Sequence, residues 1–322
     1  MTWNTYYRGD GAEGDADVPV DLPEPPPWRT FPRPAAADGA RFRPPDGLVE
    51  AVNAALVLRR PLLVTGPPGS GKSTLIESVA QELRLGPVLR WHITSRSTLA
   101  DALYRYDVLG RIHAQQLARA REETVTDDIT DFLRLGPLGA ALASGQRRAL
   151  LIDEIDKGDL DLPSDLLEVL ERGEFEIPEL VRHRDQDVLI REQDAGRDEH
   201  RIDEHRIAGG RVRCEVFPFI VLTSNGERSF PAPFLRRCVR FTMPPLTTEL
   251  LTDIVRAHLG AAAAGRATEL ISQFEEQLRT GSALAVDQLL NVVHLLTGDA
   301  APEPEDRGRI NQLLLQELTD AS

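Results

Sequence analysis

Three short stretches hold residue types that together can carry phosphoryl chemistry. GPPGSGKS, residues 66–73, has the spacing G-x-x-x-x-G-K-S of a phosphate-binding loop. Across Gly66, Pro67, Pro68, Gly69, Ser70 and Gly71, the glycines let backbone N–H groups converge on phosphate oxygens at the positive end of the following helix. Lys72 sets an ammonium against the β- and γ-phosphates, and the Ser73 hydroxyl can ligate Mg2+. In ALLIDEID, residues 149–156, two acids end an apolar run. Asp153 is suited to holding Mg2+ through water, and Glu154 to polarising a water for attack on the γ-phosphate. In VLTSN, residues 221–225, Asn225 ends another apolar run and can hydrogen-bond that water or the γ-phosphate. Paired acids and Ser-Asn turns often mark nothing more than the solvated end of a strand. Their order behind a phosphate loop is what gives them weight.

These residues need a scaffold that brings strand ends to one edge. From Asp46 onward, apolar strands alternate with helices: PLLVTG, PVLRWHIT, RALLIDE and VFPFIVLTSN are strands, and STLIESVAQEL and LPSDLLEVLERG are helices. That alternation predicts an α/β fold, a parallel sheet sandwiched by helices, over residues 46–245. After MPPL the strands stop, and residues 246–322 read as a small all-helical lid domain. Residues 1–45 form a Pro/Gly-rich arm, yet they carry Trp3, Tyr6, Tyr7, Trp28 and Phe31 in a chain with only 5% aromatics. An arm so furnished is expected to wrap on its own core or on a neighbouring subunit.

Composition narrows the class. No run of about 18 apolar residues occurs, and no basic start precedes an apolar stretch, so a cytoplasmic protein with no membrane span is expected. Two cysteines, Cys214 and Cys238, are too few for a disulfide framework or a four-ligand zinc site. A net charge of −14 argues against coating with nucleic acid, though a basic pore lining stays open. Among 37 basic residues only Lys72 and Lys157 are lysine, and both fall at the motifs above.

With WHITS, LYRYD (103–107), GPLGAAL and SDLLEVLERGEFEIPEL placed around those motifs, the chain from about 45 to 300 resembles the MoxR family of AAA+ ATPases. The resemblance implies a P-loop NTPase core that hydrolyses ATP with Mg2+ at the subunit interfaces of a homo-oligomeric, usually hexameric, ring. It also implies chaperone-like remodelling of a protein client or partner, often a von Willebrand factor A-domain protein. It points to Arg237, and secondly Arg236, as the arginine reaching the neighbouring subunit's γ-phosphate. One feature departs from the pattern: GSALAVDQLL (281–290) holds no basic residue where relatives place a lid arginine, and Arg279 lies just outside. Two further readings stay open, a nucleotide-gated assembly switch with slow turnover and a nucleic-acid translocating motor.

A charged hairpin extension is expected at about 181–210, between paired strands in EFEIPEL (174–180) and VRCEVFP (212–218). It contains the duplication DEHRIDEHRI, residues 198–207. His200 and His205 are five apart, which fits neither a helical zinc pair nor one face of a strand. A solvated arm and a partner-contacting arm remain as readings.

Overall fold

The apolar runs at 62–65, 149–153 and 219–224 bury nearly every residue, as strands covered on both faces must. The computed structural model describes residues 23–30, 42–121, 128–182, 187–193, 204–280, 282, 284–298, 301–302 and 304–315. They divide into two units. One comprises Pro44–Gly66 with Lys72–Thr242; the other takes the described part of Met1–Arg43, Pro67–Gly71 and Met243–Ser322.

The larger unit opens with α1 (Leu48–Leu58), β1 (Leu62–Thr65), α2 (Lys72–Glu82) and β2 (Leu89–His92). Next come α3 (Leu99–Leu103), β3 (Tyr104–Tyr106), α4 (Val108–Ala120), β4 (Leu133–Leu135) and α5 (Pro137–Ala143). Then follow β5 (Ala149–Asp153), α6 (Leu162–Arg172), β6 (Glu174–Glu176), α7 (Pro178–Val181), β7 (Asp187–Glu192) and β8 (Glu204–Ala208). The unit closes with β9 (Arg211–Arg213), β10 (Phe219–Ser224), α8 (Ala232–Arg237) and β11 (Val239–Thr242). A five-stranded sheet has the order β11-β1-β10-β5-β2, every pair parallel. The carboxyl ends of β1, β10 and β5 therefore leave side by side at one edge, which is where an open parallel sheet binds its ligands. Helix spacing follows the same core: α6 buries Leu162, Leu166, Leu167 and Leu170 along one stripe.

A second sheet, in the order β3-β4-β7-β8-β9-β6, was not anticipated as a unit. The expected pairing of the 174–180 and 212–218 runs reduces to β6 against β9, three residues each. Pro178 ends the first strand, because it lacks an N–H for the ladder and starts α7 instead. Inside the extension β7 and β8 form a hairpin of their own, in register from Asp187↔Ala208 to Arg191↔Glu204. The second copy of the duplicated motif is thus strand from Glu204 on, with His205 and Ile207 buried. A wholly solvated arm is excluded for these residues, while the first copy lies outside the described ones.

Glu192 on β7 is buried and accepts hydrogen bonds from Arg148 Nη1 (2.9 Å) and His205 Nε2 (2.7 Å) on the same oxygen. Burial alone would raise its pKa. The hydrogen bond from His205 and the charge of Arg148 outweigh that and hold the carboxyl below its ordinary range. Glu192→Gln removes the charge that Arg148 and His205 both meet and is expected to destabilise the protein by about 3–5 kcal/mol. A depressed carboxyl stabilises above its unfolded pKa and loses that contribution as pH falls through the lower folded value. Denaturant titrations of wild type and variant should therefore converge below the ordinary glutamate range; a gap that widens in acid contradicts the assignment.

The smaller unit carries α9 (Thr248–Leu259), α10 (Ala261–Arg266), α11 (Thr268–Arg279), α12 (Val286–Thr297) and α13 (Pro304–Leu314). Leu251, Val255, Ile271, Phe274, Leu289 and Val293 form its centre. Trp28 of the N-terminal arm packs on this cluster, donating from Nε1 to Asn291 Oδ1 at 2.9 Å. Its ring meets His258 and His294 edge-on. That is the expected wrapping on its own chain for Trp28; Trp3, Tyr6, Tyr7 and Phe31 lie outside the described residues. Among those residues no helix is long and apolar enough to cross a membrane.

Candidate functional site

The loop after β1 is shaped by glycine. Gly69 and Gly71 hold φ of +73° and +83°, and Ser70 Oγ closes the turn on the Pro67 carbonyl at 2.8 Å. A Cβ at Gly69 would fall 2.7 Å from the backbone nitrogen of Val286, so only glycine fits. Lys72 opens α2 and donates from Nζ to the Gly66 carbonyl at 2.8 Å. Burial lowers its pKa, while Asp153, Asp156 and Glu154 pull the other way.

At the end of β5, Asp153 Oδ1 accepts from Ser73 Oγ (2.8 Å) and from Thr223 Oγ1 (2.6 Å). Serine hydroxyl and carboxylate so placed form the sparse, all-oxygen donor set that Mg2+ uses when substrate phosphates and water complete its shell. Among the described residues no three His, Cys, Asp or Glu cluster as a metal cage. Glu154 follows in a left-handed conformation (φ +59°, ψ +47°), its N–H donating to Thr223 Oγ1 at 2.9 Å. Its side chain accepts from Lys157 Nζ at 2.8 Å and from Asn225 Nδ2 at 3.4 Å. The hydrogen bond to Glu154 raises the pKa of Lys157.

Three residues of this cluster were not singled out from the sequence. His92 ends β2 in register with Asp153, its Nε2 3.5 Å from Glu154 Oε2. Thr223 bridges Asp153 and the Glu154 backbone. Asp156, buried at 3% exposure, accepts from the backbone N–H groups of Asn225 (3.0 Å) and Glu227 (3.2 Å), fixing the turn that holds Asn225. A polar residue two positions before Asn225 was the available signal for Thr223; strand register reveals His92, and the hydrogen bonds to the Asn225 turn reveal Asp156.

The two candidate arginines sit elsewhere. Arg236 and Arg237 end α8 and are exposed; Arg237 Nε pairs with Glu171 Oε1 on α6 at 3.1 Å. Among the described residues no hydrogen bond or ion pair links either side chain to Lys72, Ser73, Asp153, Glu154 or Asn225. In the smaller unit, Arg279 pairs with Glu276 at 2.7 Å. It also lines a cavity of about 310 Å³ together with Pro67, Pro68, Leu246, Leu278 and Leu284.

A parallel sheet whose first strand runs into a glycine-rich phosphate loop, with acids and an amide at the neighbouring strand ends, defines a P-loop nucleotide-binding α/β protein of AAA+ type. Residues 61–237, more than half of the chain, match the family AAA domain (dynein-related subfamily), and the chain belongs to that family. It is similar over 130 residues, at 31% identity, to an adenylate kinase of Petrotoga mobilis (strain DSM 10674 / SJ95). That stretch is 38% of this chain, which spans 57% of the relative's length. Among solved structures it is similar to a variant of RuvB from Thermotoga maritima: 17% identity, TM-score 0.42, 83% of this chain and 68% of that one. Domain III of the replication initiation protein DnaA from the same organism gives 13% identity and a TM-score of 0.41. There 86% of this chain and 96% of that one are covered.

Proposed function

We propose that this chain is a MoxR-like ATPase that binds and hydrolyses ATP at the subunit interfaces of a cytoplasmic ring and remodels or activates a protein partner. The observation that carries the reading is the convergence of Ser73, Asp153, Glu154 and Asn225 through hydrogen bonds at one edge of the sheet. Bound Mg2+ would supply charge neutralisation at the phosphates, held by Ser73 and, through water, by Asp153. Lys72 exchanges the Gly66 carbonyl for phosphate oxygens, and the loop amides orient them. Glu154 takes the proton of the attacking water, with Asn225 orienting it.

Interface catalysis is supported by Arg236 and Arg237 being exposed and absent from their own site, ready for a neighbour's. A hexamer and a von Willebrand factor A-domain partner are the corresponding proposals for assembly. Two observations favour the switch reading as second choice: Lys157 already occupies the Glu154 carboxylate, and Arg279 is tied to Glu276. Phosphate release per subunit, followed across a dilution series with the oligomer distribution measured in parallel, tests the interface site. Turnover should rise with the oligomeric fraction; a rate unchanged in the monomer overturns it. Little turnover even with a bound protein partner would favour the switch.

A further inference from the structure

Of the 37 basic residues, all but Lys72 and Lys157 are arginine. Lys72 belongs to the phosphate loop. Lys157 has no part in the hydrolytic mechanism above, yet its Nζ donates to Glu154 Oε1 at 2.8 Å. Asn225 Nδ2 reaches the same oxygen at 3.4 Å. Two groups that share one bound water stand roughly 4–5 Å apart, so the attacking water does not fit between Glu154 and Asn225 as they lie. On the other side of the carboxylate, His92 Nε2 stands 3.5 Å from Oε2. The oxygen turned toward Asn225 is thus taken by an ammonium, and the base is at rest.

That grip is built to let go. The Lys157 side chain is 42% exposed, and ion pairs so open to water are weak. An ammonium on a flexible stem makes a point contact, whereas a guanidinium would hold both carboxylate oxygens in a fork. A second acceptor also lies within its field. The hydrogen bond to Glu154 is the main cause of the raised Lys157 pKa, and the charges of Glu227 and then Asp156 add to it. Glu227 is exposed on the turn that carries Asn225. Asp156 Oδ2 fixes that turn, accepting from the Asn225 N–H at 3.0 Å and the Glu227 N–H at 3.2 Å.

We propose that Lys157 is a positioning residue that restrains the base, holding Glu154 off the attacking water until the ammonium transfers to Glu227. The proposal rests on the reading of Glu154 as the general base and adds the regulation of that site. Lysine stands here, in a chain that otherwise uses arginine, because a restraint on a base has to release it.

Phosphate release by the full chain across ATP concentrations is the first test. Lys157→Met keeps the stem and removes the charge, and should raise kcat about two- to fivefold with KM unchanged. Lys157→Arg keeps the charge but grips both oxygens, and should lower kcat. Glu227→Gln removes the landing place, so it should lower kcat in the wild-type background and have no effect beside Lys157→Met. An unchanged kcat in Lys157→Met marks an ordinary surface pair, a fall makes Lys157 part of the chemistry, and a change in KM alone puts it on the nucleotide. Each of these overturns the proposal, as does a Lys157→Arg protein at least as fast as wild type.

The second test needs no hydrolysis. With two lysines in the chain, lysine-selective 13C labelling gives two side-chain NMR signals, assigned through Lys157→Met. Adding Mg2+ and a non-hydrolysable ATP analogue should shift both, Lys72 by phosphate contact and Lys157 by release. In Glu227→Gln the Lys157 signal should stay where it was. A shift of Lys72 alone overturns the proposal and leaves nucleotide binding standing, whereas a shift of neither overturns both. Phosphate release absent from every protein, with Lys72 still shifting, removes the general base and the restraint together.

Discussion

Replacing Glu154 by Gln is expected to leave ATP binding intact and to slow hydrolysis by about 10²–10⁴-fold, the usual contribution of a general base. The carboxamide has nearly the same shape and can still meet Asn225 and Lys157, so positioning survives while the proton acceptor is lost. The P-loop contacts of Lys72 and Ser73 are untouched, which is why binding of a fluorescent ATP analogue should be retained. With nucleotide held and not consumed, the proposed ring should persist longer on dilution. Phosphate release at the wild-type rate would remove Glu154 from the chemistry. The same variant serves as a trap for retaining and identifying the partner.

The second large effect belongs to Arg237. If it reaches into a neighbour's site, Arg237→Ala should depress turnover by about 10³–10⁵-fold, as loss of an arginine finger does elsewhere. Folding should be spared, because the substitution removes only an exposed pair with Glu171, worth less than about 1 kcal/mol. Complementation gives the sharper reading. In rings mixed from the Glu154→Gln and Arg237→Ala proteins, some interfaces join an intact Glu154 to an intact Arg237. Two inactive preparations should therefore recover turnover on mixing. No recovery places Arg237 in its own subunit's site or outside catalysis, and a larger loss from Arg236→Ala transfers the role to its neighbour.

Four strands of the main sheet were legible, β1, β5 and β10 as apolar runs of four to six residues, whereas β11, the alternating VRFT, was not read as a strand. The second sheet was not, for a physical reason. Only the pairing of β6 with β9 was foreseen, as longer runs; β3 and β4 are three residues each, too short for alternation to register, and they are held by pairing rather than by propensity. Read as polar, the extension hid the stripe Ile190, His205 and Ile207 that buries it against the rest of the unit. At the candidate site, the loop and paired acids stand out by type and spacing. Thr223 and Asp156 do not, since Thr223 meets Asp153 across 70 positions of sequence and Asp156 caps the Asn225 turn across 69. His92 looked like one more strand residue until register set it beside Asp153.

The left-handed backbone at Glu154 has a wider consequence. A side chain other than glycine or asparagine held there costs on the order of 1–3 kcal/mol, and neighbours must impose it, here through the Thr223 hydroxyl on its N–H. Folding alone would favour glycine or asparagine at this position. Glutamate is the occupant that local stability would discard, and its presence there supports the chemical role proposed for it.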